Sequence, residues 1–569
     1  MPKKILLYKN HKRSVVNSWW KAFCGLRLKM WHVLAICFSI YPLSSIVPLH
    51  AADRTNVPLK NWGGFAVNRS WIYDALEKIV LAGLADQALL NTKPLSRMEA
   101  ARIIAQAVNK IKRDQYGDYN HRAYLEELLY QLVKEFAAEL AEIGINTPPS
   151  RKAQSRFYRF KPIDHIQLGG AYANNPQKLV NNSGQSVNKG LNSVLTMDGR
   201  GHIGDNLSLY YQPEISHDKG SDKVHLQVGY GKLTFWNTEL EVGRDSLWWG
   251  PGFRGSMLFS NNAPPLDQIR IGSAEPFRLP WFLHYLGPIK ITGLVGQLER
   301  DRDLPHALVG AYRISMAPTR FVELGLGRAF QFGGKGSGYG LKNVPFTLKQ
   351  GVLQLGGNDK FDALDRGNIT NNLSSLDITV RIPNVDRYIF IARDMSLYGE
   401  MGVDDSGKFF SRENESIFFM RKPGGLIGTY LTGFLGDPKL DFRFEYASTS
   451  DIEFTHGTYT SGFENRGSVL SHFIGTDGSE FYARISRWMN QDILLGFQAS
   501  LAKIGNTQFA TLGLPREKRN TFGPDFSYRI SDRSSLFTEY DFSRVKNRDF
   551  VRENTENDHL FRIEFTYSL

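Results

Sequence analysis

The densest group of side chains that could bind a ligand lies in residues 243–271, which read GRDSLWWGPGFRGSMLFSNNAPPLDQIRI. Aromatic faces match the apolar C–H faces of sugar rings, amides hydrogen-bond sugar hydroxyls, and an arginine can make a forked contact with a sugar carboxylate. The candidate sugar-binding residues are Arg244, Asp245, Trp248, Trp249, Phe253, Arg254, Asn261 and Asn262. The same residues can instead pack inside the fold and hold its shape, and the sequence leaves both interpretations open.

A second group of residues contains carboxylates, which glycosidases use to hydrolyse glycosidic bonds. Glu445, Asp451 and Glu464 occur near Arg466 and His472. A glycosidase needs two carboxylates at a defined separation, one of them with a raised pKa, and spacing along the chain does not establish this. We therefore predict no catalytic residues, and a polysaccharide-acting enzyme stays an alternative.

Two further motifs suggest binding sites but lack residues that those sites would need. His472 with Asp477 is a weak metal-binding pattern, because one histidine and one carboxylate do not make a ligand set. Residues 332–340, FGGKGSGYG, lack the Gly-Lys-Ser/Thr ending of a phosphate-binding loop, and no helical pattern follows them. We predict no metal site and no cofactor, and we expect a flexible surface loop at 332–340.

Residues 1–52 have the pattern of a secretory signal peptide. Eight lysines and arginines precede an apolar run that begins at Trp31, and the small residues Ala51 and Ala52 precede polar sequence. The alternative is an uncleaved membrane anchor, although Pro42 interrupts a run that would need about 20 apolar residues to span a bilayer.

Export changes what the composition implies. Removal of those eight positive charges lowers the formal net charge from +12 to +4, so a nucleic-acid partner is not predicted. Both cysteines, Cys24 and Cys37, also lie in this segment. The chain after residue 52 therefore has no disulfide, no cysteine nucleophile and no thiolate metal site, which suits a bacterial envelope protein.

The spacing of apolar residues in 53–150 predicts a small periplasmic bundle of three amphipathic helices. In the first, apolar residues recur at spacings of three and four from Trp71 onward. The second has a capping box, in which Ser96 accepts a bond from the N–H of Glu99 while the Glu99 side chain reaches back to the N–H of Ser96. The third ends at Gly144.

Residues 151–569 alternate apolar and polar side chains, which is the period of a β-strand. Near the end of the chain, for example, Phe561 and Ile563 alternate with Arg562 and Glu564. A soluble β-sandwich buries its apolar face, whereas a transmembrane barrel turns that face to lipid and encloses its charges. The recurring segments of about ten residues match tilted spanning strands. They favour a mainly β protein, a transmembrane antiparallel β-barrel, with the sandwich as the alternative.

The segment 243–271 interrupts the alternation. Residues 250–252, Gly-Pro-Gly, turn the chain sharply, and Pro264 and Pro265 cannot donate to a strand ladder. We therefore expect a long ordered turn between two strands, either folded into the lumen or placed at a mouth of the barrel.

Three stretches make the chain resemble the capsule assembly Wzi family. They are WWGPGFRGSMLFSNNAPPLDQIRI (248–271), YIFIARDMSLYGEMGVDD (388–405), and FRFEYASTSD with SGFENRGSVLSHFIGTDGSEFY (within 442–482). The resemblance implies an outer-membrane barrel of about 18 strands, with sixteen as the alternative. It also implies a helical part near the periplasmic end and binding of capsular polysaccharide.

The helical region has a second, weaker resemblance. WIYDALEKIVLAGLA with KPLSRMEAARII looks like a single S-layer homology repeat. Proteins anchored to the wall by such repeats normally carry several copies, so a packing or plugging role is favoured over wall anchoring.

We predict a non-catalytic outer-membrane protein that binds capsular or exopolysaccharide and helps to assemble or attach it at the cell surface. Its expected partners are the polysaccharide, outer-membrane lipid and polysaccharide export machinery. The alternatives are a porin with a wall-tethering helical module and, less favoured, an envelope enzyme that acts on polysaccharide.

Overall fold

The structure is a computed structural model that describes residues 53–59, 71–86, 88–113, 119–145, 158–204, 206–218, 221–337, 371–404, 423–505 and 513–569. The predicted signal peptide, residues 1–52, lies outside these ranges. Helices and strands belong to one compact unit, residues 50–338 with 346–569.

Eighteen described strands form a closed antiparallel barrel in which each strand pairs with its neighbours along the chain. The first strand closes the barrel on the last, with Ile166 opposite Tyr567. This confirms the predicted fold and the larger of the two strand numbers. The strands are β1 Tyr158–Ala173, β2 Gly190–Ile203, β3 Leu207–Asp218, β4 Ser221–Phe235, β5 Thr238–Asp245, β6 Leu266–Ser273, β7 Ile289–Gln297, β8 Leu308–Thr319, β9 Val322–Phe332, β10 Asn371–Ile382, β11 Asp394–Asp404, β12 Gly424–Thr432, β13 Leu440–Ser448, β14 Ser479–Trp488, β15 Ile493–Ile504, β16 Glu517–Ser531, β17 Ser534–Lys546 and β18 Thr555–Ser568.

The barrel is apolar outside and ionic inside, the reverse of a soluble β protein. On β18, Phe561 and Ile563 are 43% and 41% exposed, whereas Arg562 and Glu564 between them are each 2% exposed. The same alternation recurs around the sheet and exposes a band of large apolar side chains. Such a band is stable against hydrocarbon rather than water, so the barrel is transmembrane.

The two ends of the barrel differ in their connections. At the end that holds the start of β1 and the end of β18, strands are joined by turns such as 236–237, 320–321 and 532–533. We call this the short-turn end. At the opposite, long-loop end, the connections include 246–265 and 449–478, both fully described.

Four described helices precede the barrel: α1 Trp71–Leu81, α2 Arg97–Lys112, α3 Tyr119–Glu135 and α4 Ala137–Glu142. The third predicted helix is interrupted at Phe136, whose backbone (φ −102°, ψ 25°) caps α4. None of the described helices is long and apolar enough to cross a membrane. The predicted boundary at residue 150 falls in residues 146–157, which lie outside the described ranges.

The capping box at the start of α2 forms only in part. Ser96 accepts a hydrogen bond of 3.1 Å from the N–H of Glu99, as predicted. The Glu99 carboxylate does not return to Ser96 and instead binds Lys290 on β7, with Nζ 2.5 Å from Oε2. The carboxylate thus fastens the helix to the barrel, because a buried ammonium group competes better for it than a backbone N–H.

The helices share one hydrophobic core inside the short-turn end. Leu76, Ile79, Ile104 and Leu132 are fully buried in it. Lys78 on α1 reaches Asp441 near the start of β13, with Nζ 2.6 Å from the carboxylate. Burial opposes the charge on Lys78, but this carboxylate together with the hydroxyl groups of Tyr124 and Tyr430 outweighs it and raises the pKa of Lys78 well above its usual value. The helices are therefore ionically fixed to the wall.

Candidate functional site in the barrel lumen

Residues 246–265, the plug loop, leave β5 at the long-loop end and fold into the lumen. There Trp248 and Trp249 pair antiparallel with Lys93 and Thr92, which precede α2. The next backbone N–H, that of Gly250, donates to Asn91 O at 2.9 Å. The loop thus meets the helical region inside the barrel, the first of its two predicted positions.

The two tryptophans are enclosed by protein. Trp248 is 3% exposed within the helical core, and its Nε1 donates to Gly252 O at 3.0 Å. Trp249 is 1% exposed and meets Phe259 edge-to-face at 5.1 Å between ring centroids. This geometry favours the packing interpretation for these two residues, and a contact of either ring with sugar stays a prediction.

The other predicted residues are not gathered at one place. Arg244 points to the outer wall of β5, where it makes a forked pair at 2.8 Å with Asp267 of β6. Asp245 points inward and accepts a bond of 2.7 Å from Asn56. Asn262 donates to Val469 O at 3.0 Å and so ties the plug loop to the loop 449–478.

Asn261 ties the plug loop to another connection. Its carbonyl oxygen accepts a 2.7 Å bond from the N–H of Ser183, in the loop from β1 to β2. Its own side chain is buried. Asn261 and Asn262 thus both join long-loop connections to each other.

Phe253 lies at the tip of the plug loop and borders open space, whereas the next residue, Arg254, is held against the barrel wall. The Arg254 Nε lies 3.1 Å from Glu480 of β14, and its guanidinium lies 5.0 Å from the ring centroid of Tyr482. Phe253 is half-buried, and the guanidinium of Arg443 lies 4.4 Å from its ring centroid. Of the eight predicted residues, Phe253 alone lines the large cavity described next.

A cavity of about 810 Å³ lies between the helices and the barrel wall. Its size falls in the range of small-molecule sites. Its lining includes eight aromatic residues: Trp71, Tyr124, Phe253, Tyr430, Phe442, Trp488, Tyr528 and Phe537. Hydroxyl groups also line it, on the strand residues Ser486, Ser527, Ser535, Thr566 and Ser568. Aromatic faces together with hydroxyls in one cavity are the groups that sugar recognition requires.

The cavity exists because one side of the wall is not covered by the lumen contents. On the other side, the inner faces of β4–β13 form a clamped wall. Asn91 donates to Glu323 of β9 at 2.8 Å and to Asp377 of β10 at 3.0 Å. Thr92 receives a bond of 2.7 Å from Arg313 of β8. Residues inside the lumen thus bond directly to charged side chains of this wall.

The inner faces of β14–β18 form an open wall, where charged side chains of one strand pair with those of another strand of the same wall. Arg484 holds Asp525 at 2.5 and 2.8 Å, and Arg562 lies 2.7 Å from Glu539. Gln131 of α3 reaches across to Arg529 at 2.5 Å. The cavity is the space that these strand-to-strand pairs leave free.

The carboxylate candidates for hydrolysis serve other roles. Glu445 accepts bonds from the backbone N–H groups of Phe253 and Arg254, the latter at 2.8 Å, and from the Tyr398 hydroxyl at 2.7 Å. These three donors fix the tip of the plug loop. Glu464 belongs to a short antiparallel β-pairing, in which it lies opposite Val469.

His472 and Asp477 do not come together. His472 is 1% exposed, and burial together with the charge of Arg254 lowers the pKa of His472 to about 3. Asp477 is instead held by Arg516 at 2.7 Å. The described part of the glycine-rich segment, 332–337, ends β9 and begins the following loop; residues 338–340 lie outside the described ranges.

Asp164, His165 and Asp198 form a buried group whose ligand atoms lie within 4.8 Å of one another. The sequence reasoning did not single out this group. Lys161 and Arg200 each lie 2.6 Å from the Asp164 carboxylate. These cations already supply the positive charge that a metal ion would bring, so the geometry favours an ionic cluster.

The sequence reasoning also missed the cavity, whose lining comes from helices and strands far apart in the chain. One signal was available. Ser527 and Arg529 on β16, like Ser535 and Phe537 on β17, occupy the lumen-facing positions of the alternation. Which of those positions face open space depends on where the plug loop goes.

Fold and site together define a transmembrane β-barrel whose lumen is filled on one side by its own chain. A profile of the capsule assembly protein Wzi family matches residues 166–560, more than half of the chain. The protein therefore belongs to the capsule assembly Wzi family, as the sequence resemblance predicted.

Two relatives are informative. An uncharacterised 55.8 kDa protein of the cps region of Klebsiella pneumoniae is 25% identical over 261 residues, which cover 45% of this chain. The match also spans only 45% of the length of that curated relative. The Escherichia coli outer-membrane protein Wzi, described as a carbohydrate-binding β-barrel involved in group 1 capsule assembly, matches with a TM-score of 0.63 and 19% identity. That match covers 89% of this chain and 100% of the other, and at this identity it shows the shared fold.

Proposed function

We propose that this protein binds capsular or exopolysaccharide in the outer membrane, without cleaving it, and helps to assemble or attach it at the cell surface. Membership of the capsule assembly family supports this proposal. The observation that carries it is the cavity of about 810 Å³, which is lined by both aromatic side chains and hydroxyl groups.

The proposal includes an orientation. In bacterial outer-membrane barrels, short turns face the periplasm and longer loops face outward. The short-turn end, with its helices, then lies on the periplasmic side, and the apolar band faces outer-membrane lipid. A cavity bordered by the turn 532–533 opens toward the periplasm, where export machinery would present a polymer.

The proposed mechanism is weak binding repeated along a polymer. Phe253 and Trp488 offer aromatic faces to pyranose rings, while Ser527 and Ser535 bond hydroxyls and Arg529 attracts acidic sugars. Individually weak contacts add by multivalency along one chain. Trp248 and Trp249 act indirectly in this mechanism, because they hold the loop that presents Phe253.

The two alternatives receive less support. A porin needs an unobstructed lumen, whereas the plug loop meets residues 91–93 in the middle of this one. A glycosidase needs a free carboxylate pair, whereas Glu445 is occupied by three hydrogen-bond donors.

Binding of the purified protein to capsule-type polymer tests the proposal. Phe253→Ala is expected to weaken binding several-fold while the barrel stays folded. Phe282→Ala, in an exposed turn at the short-turn end, is the matched control and is expected to bind normally. Deletion of the gene is expected to shed polymer from the cell surface. Equal binding by both variants would mean that the cavity is not the polysaccharide-binding site.

A Trp248→Ala/Trp249→Ala variant separates direct from indirect roles. We expect it to lower stability together with binding, because removal of a buried tryptophan costs about 3–5 kcal/mol. Lost binding with unchanged stability would mean that the tryptophans themselves touch sugar.

A further inference from the structure

Three lysines form a row on the outer wall of the barrel at the long-loop end. The strand register places Lys503 of β15 directly opposite Lys518 of β16, and Lys518 directly opposite Lys546 of β17. All three side chains are exposed. Because neighbouring strands lie about 4.8 Å apart, the row spans roughly 10 Å. Arg544, also exposed, lies one outward-facing position further into β17.

The row marks the edge of the lipid-facing band. Along the same outer face, Leu501 lies two positions from Lys503 and is 46% exposed. Phe522 lies four positions from Lys518 and is 41% exposed. The lysines therefore stand where the apolar surface ends and the headgroups of the adjoining leaflet begin.

This row has no carboxylate partner among the described residues. None of these four basic side chains has an ion pair or a side-chain hydrogen bond there, and residues 506–512 of the adjoining loop contain no acid. Of the nearby acids, Glu517 and Asp477 are already paired with Arg519 and Arg516, at 3.0 and 2.7 Å. Two further acids, Asp549 and Glu553 in the loop after β17, make no ion pair with the row.

Elsewhere the same wall neutralises its charges. Arg244 on β5 stands directly opposite Asp267 on β6 and is held by both carboxylate oxygens at 2.8 Å. Like charges directly opposite on a sheet are destabilising. A row of three uncompensated lysines is thus a cost to the fold unless an external anion offsets it.

We propose that Lys503, Lys518 and Lys546, with Arg544 beside them, bind the phosphate groups of a lipid headgroup in the leaflet at the long-loop end. Ammonium groups bind phosphates as point charges, and basic residues near a membrane surface add attraction for anionic lipid. The apolar band below the row receives the acyl chains of the same lipid. The site fixes the height of this side of the barrel in the membrane.

Native mass spectrometry of the purified protein in detergent, titrated with diphosphorylated lipid A, tests the site. The variant Lys503→Gln/Lys518→Gln/Lys546→Gln is expected to bind this lipid at least tenfold more weakly. Lys189→Gln/Lys335→Gln/Arg387→Gln removes the same charge from scattered exposed positions and is expected to bind as the unchanged protein does. Lipid A without phosphates is expected to bind all three proteins equally weakly.

The lysine variant should fold, because the substitutions remove repulsion between exposed groups. A heat-modifiable shift in electrophoretic mobility verifies this. Undiminished lipid A binding by the folded variant overturns the proposal, as does equal affinity for dephosphorylated lipid. Loss of acidic polymer binding with intact lipid binding also overturns it, and assigns the row to polysaccharide.

Discussion

The clamped and open walls of the lumen are built from the same alternating strands, yet they satisfy their charges differently. On the clamped wall, Arg313 lies 2.7 Å from Asp377 and bonds Thr92 of the lumen contents. On the open wall, Arg484 and Arg562 bind carboxylates of other strands of the same wall. An ionic lumen can thus be closed by its own chain on one side while the opposite side stays available to a ligand.

The largest expected effect comes from a wall arginine on the clamped side. Arg313→Leu leaves the buried Asp377 carboxylate without its cation, and we expect a loss of about 3–5 kcal/mol in the free energy of unfolding. Arg529→Leu on the open wall is the matched control, since Arg529 is partly exposed and lies 4.0 Å from Asp492. We expect that control to stay within about 1 kcal/mol of the unchanged protein. Denaturant titration in micelles measures the free energy of unfolding of both variants. Similar losses would show that the charges of the two walls contribute equally to stability.

Glu453, in the loop that closes over the clamped side, gives a pH-dependent effect. Burial, opposed only by a bond from the N–H of Ser450, raises the pKa of Glu453 to about 8. The folded protein keeps this proton while the unfolded chain loses it above about pH 4.5, so stability falls as the pH rises from about 4.5 to 8. We expect Glu453→Gln to be more stable than the unchanged protein by on the order of 2–3 kcal/mol at pH 7.

The unfolding midpoint, followed from pH 4 to 8, measures this difference. The gap between Glu453→Gln and the unchanged protein should widen as the pH rises. Glu553→Gln, at an exposed turn, serves as the control and should give no gap. A gap that is constant with pH would show that Glu453 folds in its ionised form.

A smaller effect is expected where the plug loop meets the wall. Glu445→Gln keeps the size of the side chain but places an amide against backbone donors, and we expect a loss of about 1–3 kcal/mol in stability. Glu556→Gln, a partly exposed residue paired with Arg548, should change stability by less than about 1 kcal/mol. Polymer length, measured in the same samples, should be unchanged by the protein. Polymer shortening that disappears in Glu445→Gln would restore the enzyme interpretation.

The alternation of apolar and polar residues along the chain predicted much of this architecture. Phe561 and Ile563 are exposed and Arg562 is buried, as the alternation in β18 indicates for a transmembrane barrel. Arg244 and Asp245, which were both candidate sugar-binding residues, face opposite sides of β5, as the same alternation requires. These features depend only on neighbours along the chain, so they can be predicted from the sequence.

The cavity depends on contacts that no local pattern contains. Trp249 lies opposite Thr92, and Phe253 is fixed by Glu445, across separations of more than 150 residues. Turn-forming residues predicted an ordered loop at 246–265, but not which part of the wall it would cover. For the same reason, the sequence grouped eight residues as one site, whereas the fold places them on the outer wall, in the packed core and beside the cavity.

Cysteine accessibility tests the difference between the walls most directly, because the chain after residue 52 has no cysteine of its own. Ser527→Cys faces the cavity, whereas Ser375→Cys lies on the clamped wall, where the serine is 2% exposed. The unchanged protein measures any background from Cys24 and Cys37. A water-soluble thiol reagent should label Ser527→Cys at least tenfold faster, and added polymer should slow that labelling alone. Equal rates at the two positions, or no protection by polymer, would contradict the account.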